Sequence, residues 1–151
     1  MQVRRDTLTN SMVAPLLAAH VAEQRAGTPA GFSFALDGAA LSAADVTFFT
    51  AWDGEALAGM GALKRLRDAA GEVKSMRSTP ETRGRGAGHA VLRAIMAEAR
   101  NQRLRTLYLE TGTTPAYHAA IRLYTRAGFV PCEAFADYRA SPHNRFFRLA
   151  L

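Results

Sequence analysis

The chain has 151 residues, 48% of them hydrophobic and 21% charged, the size and mix of one domain around one core, which excludes disorder, a collagen-like repeat and a disulfide scaffold. Nineteen Lys and Arg against 13 Asp and Glu leave a net charge of +6; nearly all the basic residues are Arg in an Ala-rich chain, so the charge reads as an affinity for phosphate rather than as a nucleic-acid signature. The one cysteine, Cys132, excludes an internal disulfide and a multi-thiolate zinc site, and the expectation is a cytoplasmic, metal-free single domain over residues 1–151.

Residues 1–7 read as a short strand. Arg4 and Arg5 ahead of the apolar run 12–19 imitate a secretion signal, but Asp6, Thr7, Thr9 and Asn10 intervene, and His20, Glu23, Gln24 and Arg25 follow without a cleavage boundary. Met12, Val13, Leu16, Leu17 and Val21 instead share one helix face, with Asn10 or Ser11 as N-cap. No run approaches the ~20 apolar residues that cross a bilayer. Residues 27–45, rich in Gly, Ala, Pro and Asp, read as a loop framing a cleft. Residues 46–52 and 56–63 are strands around Asp53-Gly54, a strong hairpin signal, and a turn at 67–71 leads to a third antiparallel strand at 72–78.

The periodicity then changes. Arg83-Gly84-Arg85-Gly86-Ala87-Gly88 is a glycine loop, and Val91, Leu92, Ile95, Met96 and Ala99 repeat at helical spacing behind it. Residues 106–109 form a strand. Thr114 and Pro115 read as N-cap and first helical residue of a helix ending at Gly128, whose lack of a side chain suits a left-handed cap. Residues 129–135 and 145–149 complete an α/β fold around a mixed sheet.

A glycine loop between a strand and a helix lets backbone approach an anion, and the helix start adds unpaired N–H groups and the positive end of the macrodipole. Arg83 and Arg85 add charge, which suits a pyrophosphate. No Gly-Lys-Ser/Thr ending is present, and the sixth position from Gly84 or Gly86 is His89 or Val91, so neither a P-loop nor a dinucleotide fingerprint fits. Arg/Gln-x-x-Gly-x-Gly/Ala does fit, at Arg83, Gly86 and Gly88.

With that loop, the strand Glu72-Val-Lys-Ser-Met-Arg-Ser78, the strand ending at Glu110, and Ala120-Ile-Arg-Leu-Tyr-Thr-Arg-Ala-Gly-Phe129, the chain resembles the GCN5-related N-acetyltransferase (GNAT) family from about residue 46 to 151. The Glu-Val-Lys-x-Met strand and Glu-Thr-Gly turn resemble a branch of small bacterial members. The resemblance implies a mixed, mostly antiparallel sheet flanked by helices, acetyl-coenzyme A as co-substrate, and transfer of its acetyl group to an amine. It implies coenzyme contacts from Met76, Arg77 and Ser78 and from the loop residues Arg83, Gly84, Arg85, Gly86, Ala87 and Gly88. Tyr117 stands where many members carry an asparagine that helps hold the pantetheine, so contacts there differ and draw on Thr111, Thr113 or the helix start. Family members often pair through late strands, which implies a homodimer.

Acetyl transfer needs a route for the amine proton, a donor for the oxyanion and an acid for the leaving sulfur. The resemblance implies a backbone N–H near residues 76–78 for the oxyanion and Tyr124 for the acid, with a core tyrosine beside Ala120 and Leu123 as the plainer reading. The resemblance implies Glu72 as first base candidate, since it lies eleven residues before Arg83, where the histone-modifying branch of the family carries its glutamate base, against a solvated or Lys74-paired carboxylate; Glu110, at a strand end facing the same cleft, is the second. Alternation places Glu72, Lys74, Met76 and Ser78 on one strand face and Val73, Ser75 and Arg77 on the other. His89 and His118 read as surface or packing residues and Cys132 as a buried thiol, while Tyr138, Arg139, His143 and Arg145 border the acceptor. Lys74 and Arg77 would attract a carboxylate on it. The acceptor is a small-molecule amine or, alternatively, a protein amine. A non-catalytic acetyl-coenzyme A sensor and a nucleic-acid module using Arg83, Arg85, Arg100, Arg103 and Arg105 are the competing classes; the second lacks aromatic stacking platforms.

Overall fold

The computed structural model describes residues 1–26 and 37–151. Strand β1 (Gln2–Arg5) leads into helix α1 (Val13–Ala26). A one-turn helix α2 (Gly38–Leu41) precedes strands β2 (Val46–Asp53), β3 (Ala56–Arg65) and β4 (Ala70–Ser78). Helix α3 (Ala87–Asn101), strand β5 (Thr106–Gly112), helix α4 (His118–Ala127) and strands β6 (Val130–Cys132) and β7 (Asn144–Ala150) follow. The strands form one sheet in the order β1-β2-β3-β4-β5-β7-β6. Only β4 and β5 run parallel; the other neighbours are antiparallel.

The sheet is covered on both faces, which explains why β3 is buried along most of its length. On one face α3 buries Val91, Leu92, Ile95 and Ala99, its i, i+4 and i+8 stripe, against Leu63, Val73, Leu107 and Leu109, and α4 adds Tyr124. On the other face α1 buries Val13, Leu16 and Leu17 against Phe48, Trp52 and Met60. Farther along that face, Tyr108, Phe135, Tyr138 and Phe146 form an aromatic cluster, with Tyr108 and Phe135 stacked at 4.8 Å.

Between these two patches the sheet opens. Pairing of β4 with β5 stops at Glu72↔Tyr108. Along β3 the register jumps from Ala62↔Lys74 to Met60↔Arg77, so Ser75 and Met76 stand against Gly61 alone, with Ser75 at φ +56°. Such a bulge bends and overtwists its strand, while β5 is held straight by β7 from Thr106↔Ala150 to Gly112↔Asn144. The two parallel strands therefore diverge and leave a gap in mid-sheet.

Four sequence expectations are corrected. The bulge reverses the alternation in β4: Met76 packs with the α3 face, and Arg77 joins Glu72 and Lys74 on the α1 face, where it bonds Glu23. Met12 is exposed ahead of α1, where Asn10 Oδ1 accepts from its N–H. Of the loop over 27–45, residues 27–36 lie outside the described residues, and Asp37 caps a short helix by accepting from Ala40 N–H. The strand over 129–135 is only Val130–Cys132, because Pro131 offers no N–H and Phe135 turns inward onto Tyr108. In addition, Thr114 and Pro115 open a single 3-10 turn, and the α-helix proper starts at His118. Gly128 closes it in the left-handed region at φ +104°. Among the described residues no helix is long and apolar enough to cross a membrane.

Candidate active site

The gap between β4 and β5 is a pocket lined from four elements: His20 and Gln24 of α1, residues 72–76 of β4, Glu110 and Thr111 of β5, and Ala120 and Tyr124 of α4, with Tyr117 just before it. It runs through the sheet from the α1 face to the α4 face.

On the α1 side Glu72, 3% exposed, accepts at one oxygen from the Tyr138 hydroxyl at 2.5 Å and from Lys74 Nζ at 3.2 Å, and Lys74 Nζ also donates to Tyr138 Oη at 2.7 Å. These three form a closed knot of charge and hydrogen bonds in a place where an unpaired charge would be expensive. Burial, then the adjacent Glu72 charge, pushes the Tyr138 hydroxyl above the ordinary phenol range and keeps it a donor. Among the described residues no side chain bonds Glu110 in this way. Burial raises its carboxyl to about 7, Lys74 opposing and Glu72 reinforcing the shift. Two neighbouring carboxyl groups thus differ: Glu72 is tied by two hydrogen-bond donors, and Glu110 titrates near neutrality.

His20 is 7% exposed, and burial followed by the charge of Arg77 lowers it to about 4, so its imidazole is neutral at pH 7. Ser75 Oγ, lining the same pocket, is buried without a hydrogen-bond partner among the described residues. The Tyr124 ring packs edge-on against Phe129, and burial keeps its hydroxyl protonated. Tyr117 donates to Gln24 Oε1 at 3.0 Å and so ties the start of α4 to α1 across the pocket. Its ring lies over Gly112, where a Cβ would stand 2.2 Å from Cε2, and only glycine fits there.

At the far end of β4 the chain makes a 3-10 turn at Pro80–Thr82, pinned by Thr82 Oγ1 donating to Ala58 O at 2.7 Å, and enters the glycine loop. Gly86 is the N-cap of α3 at φ +90° with open space around it, and no side chain caps the helix. The first α3 bond runs from Ala90 N–H to Gly86 O, which leaves the amides of Ala87, Gly88 and His89 free for an anion. Gly88 lies close to Leu123 of α4 and to Ser78 of β4. Arg85 is exposed and pairs at 3.7 Å with Asp53, also exposed.

The structure therefore brings Glu72, Glu110, Met76 and Tyr124 to one pocket, with Tyr117 at its rim, and sets Gly84 to Gly88 at the α3 start. The Arg77 side chain does not join the loop; it points to α1. Among the less certain candidates, Tyr138 and Lys74 belong to the knot on Glu72, and Cys132 is half-buried on the sheet edge rather than fully covered. Sequence reasoning passed over His20, Gln24 and Ser75. His20 had a readable signal, a polar residue on the apolar helix face at i+4 from Leu16 and i+3 from Leu17. Among the described residues no group of three His, Cys, Asp or Glu could hold a metal ion.

Comparison with known proteins agrees with this architecture. Residues 15–129 match the acetyltransferase (GNAT) family. The chain is 44% identical over 149 residues to the uncharacterised N-acetyltransferase YedL of Escherichia coli (strain K12), covering 99% of this chain and 94% of that one. It is 37% identical over 146 residues to the uncharacterised N-acetyltransferase YsnE of Bacillus subtilis (strain 168), covering 97% of each. Among solved structures, an acyl-CoA N-acyltransferase of Klebsiella pneumoniae superposes with a TM-score of 0.80 at 30% identity, over 99% of this chain and 97% of that one. A Bacillus subtilis acetyltransferase in complex with CoA, 17% identical, shares the fold at a TM-score of 0.70 over 99% and 98% of the two chains. The sheet split between β4 and β5, the glycine loop and these relatives lead to one conclusion: the chain belongs to the GNAT family of acetyltransferases.

Proposed function

We propose that this enzyme transfers acetyl from acetyl-coenzyme A to the amine of a small molecule, with the glycine loop holding the diphosphate and the β4–β5 gap holding the thioester. The observation that carries this reading is the pocket itself, which places a carboxyl titrating near 7 and a buried protonated phenol beside a strand edge that has lost its partner. The fit is supported at three points. The free amides after Gly86 suit a pyrophosphate, with Arg83 and Arg85 close in sequence. Past Glu72 the β5-facing backbone of β4 has no strand partner, so the backbone of Met76, Arg77 and Ser78 is available to an extended amide-bearing arm in the manner of an added strand. Tyr117 stands at the rim of the channel that arm would follow.

Acetyl-coenzyme A supplies an activated carbonyl, and the chain's residues supply the proton movements. Glu110 takes a proton from the acceptor nitrogen, directly or through one water, and frees its lone pair to bond to the thioester carbon. An unpaired β4 amide near Met76 donates to the carbonyl oxygen as charge gathers there. Tyr124 gives its proton to the sulfur as the carbon–sulfur bond breaks, so coenzyme A leaves as the thiol. Glu72, bound by Lys74 and Tyr138, stands on the α1 side from which the acceptor amine would enter. The narrow pocket, tied over by Tyr117 and Gln24, favours a small acceptor over a protein segment.

Calorimetry with coenzyme A and acetyl-coenzyme A, followed by steady-state thiol release across an amine panel, tests this. Binding together with amine-dependent thiol release is expected. Binding without release under any amine would make the protein a sensor, and indifference to both coenzymes would overturn the reading altogether.

A further inference from the structure

We propose that the acceptor amine also carries a carboxylate, and that Arg77 binds it by exchanging Glu23 for the acceptor. This rests on the acetyl-transfer reading above and adds the acceptor's chemical class to it.

The Arg77 side chain is only 10% exposed, yet its partner is a surface group: Nη1 and Nη2 donate to Glu23 at 2.6 and 2.9 Å, and the Glu23 side chain is 64% exposed. Arg77 Nε is buried with no hydrogen-bond partner among the described residues. A sheltered guanidinium is thus served by one long, solvated side chain that leaves a donor unmatched. Buried donors in folded proteins are nearly always paired, and an exception calls for an explanation such as an absent ligand. Exposed ion pairs add little stability, so Glu23 is displaced without disturbing the fold. A carboxylate fits the planar guanidinium fork in two parallel bonds and, placed side-on, would also reach Nε.

Position supports the same ligand. Arg77 and Lys74 lie on the same sheet face, and His20, which lines the pocket, feels the charges of Arg77, Glu23 and Lys74 together. Arg77 directly follows Met76 and Glu23 directly precedes Gln24, and both of those neighbours line the pocket, so the pair flanks its α1 side. Lys74 is already engaged by Glu72 and Tyr138 and His20 is neutral, so among the described residues the exchangeable pair on this side is Arg77 with Glu23, a carboxylate that also feels the charge of Arg83. Anionic groups inside and an exchangeable cation at the rim match an acceptor with an amine at one end and a carboxylate at the other. The same arrangement repels a diamine, whose second cation would meet Arg77.

The test sets amino acids and β-alanine each beside its carboxamide, with 1,4-diaminobutane, in thiol-release assays on the wild-type protein, Arg77→Gln and Glu23→Gln. For the best acid the expected kcat/KM is about tenfold or more above that of its amide. Arg77→Gln should raise KM for the acid about tenfold with little change for the amide, whereas Glu23→Gln, which removes the competing carboxylate, should lower it. Equal use of acid and amide, a preference for the diamine, or an Arg77→Gln defect shared equally by both acceptors would overturn the proposal; the last would mark Arg77 as a strut to α1. Glu23→Gln gives an answer even if Arg77→Gln fails to fold. Calorimetry of the amino acids on coenzyme A-loaded protein separates the two layers. Carboxylate-dependent binding that Arg77→Gln abolishes, without turnover, upholds this inference while the acetyl-transfer reading falls, and absence of such binding overturns it.

Discussion

Tyr138 donates its hydroxyl to Glu72 at 2.5 Å across 66 residues of sequence, and the pair is closed by Lys74, which donates to both. This contact joins the last loop to the central strand and gives a carboxyl group buried in the middle of the sheet its hydrogen-bond partners. Tyr138→Phe keeps the ring and its contacts with Phe135 and Phe146 but removes the donor. Hydrogen bonds to charged groups contribute about 1.5–3 kcal/mol, so urea unfolding should show a loss of that order. Glu72→Ala should lose more, because it leaves Lys74 buried without its anion. A Tyr138→Phe variant as stable as wild type would count against the knot.

Glu110 offers a kinetic signature. With its carboxyl raised to about 7, the fraction able to accept a proton grows as pH rises through 7, and kcat/KM should climb across that range. Glu110→Gln should lower kcat/KM by about 10²-fold or more and abolish the limb. The stability effect has the opposite sign. A raised carboxyl pKa favours folding below the unfolded value near 4.5, and that contribution is lost as pH rises through 7. Thermal melts of Glu110→Gln should therefore depend less on pH between 5 and 8 than those of wild type.

His20 should act at lower pH. Its folded value of about 4 lies below the unfolded 6.5, so its neutral form supports folding above 6.5 and that support fades as pH falls toward 4. His20→Asn should flatten the acid side of the stability profile, read by melts between pH 4 and 7. An unchanged slope would place the imidazole in solvent.

Gly112 and Tyr117 are a matched pair. The Cβ of Gly112→Ala would meet the Tyr117 ring at 2.2 Å, displacing it and breaking the bond to Gln24. Overpacking of this kind costs about 1–3 kcal/mol. Adding Tyr117→Ala should recover part of that loss, a non-additivity expected of residues in contact and measurable in a double-mutant cycle.

Gly86 is a test of the anion site that packing does not confound, since no atom lies within 4 Å of the position a Cβ would take. At φ +90°, Gly86→Val strains the N-cap by roughly 1–2 kcal/mol and turns the free amides away. Coenzyme A should bind about tenfold more weakly or worse while the protein stays folded, as calorimetry and circular dichroism would show. Gly88→Val meets Leu123 Cδ2 at 3.2 Å and should also disturb the seating of α4.

The amino-acid order was enough to determine the elements whose signals lie within a few residues: the Asp53-Gly54 hairpin, the apolar stripe of α3, the glycine loop before it and the cap at Gly128. Each depends on a local dihedral or a short period, whereas the family resemblance nominates Tyr124 and a place at a strand end nominates Glu110. Tertiary structure decided the rest. Alternation along β4 holds only until Ser75, where a bulge set by pairing with β3 turns Met76 to one face and Arg77 to the other. Only folding brings Tyr138 onto Glu72, His20 into the pocket and Gln24 onto Tyr117, since these partners lie far apart in the chain. The protonation of Glu110 likewise depends on how much water the packed elements exclude, a property of the assembled sheet that no neighbouring residue in the chain encodes.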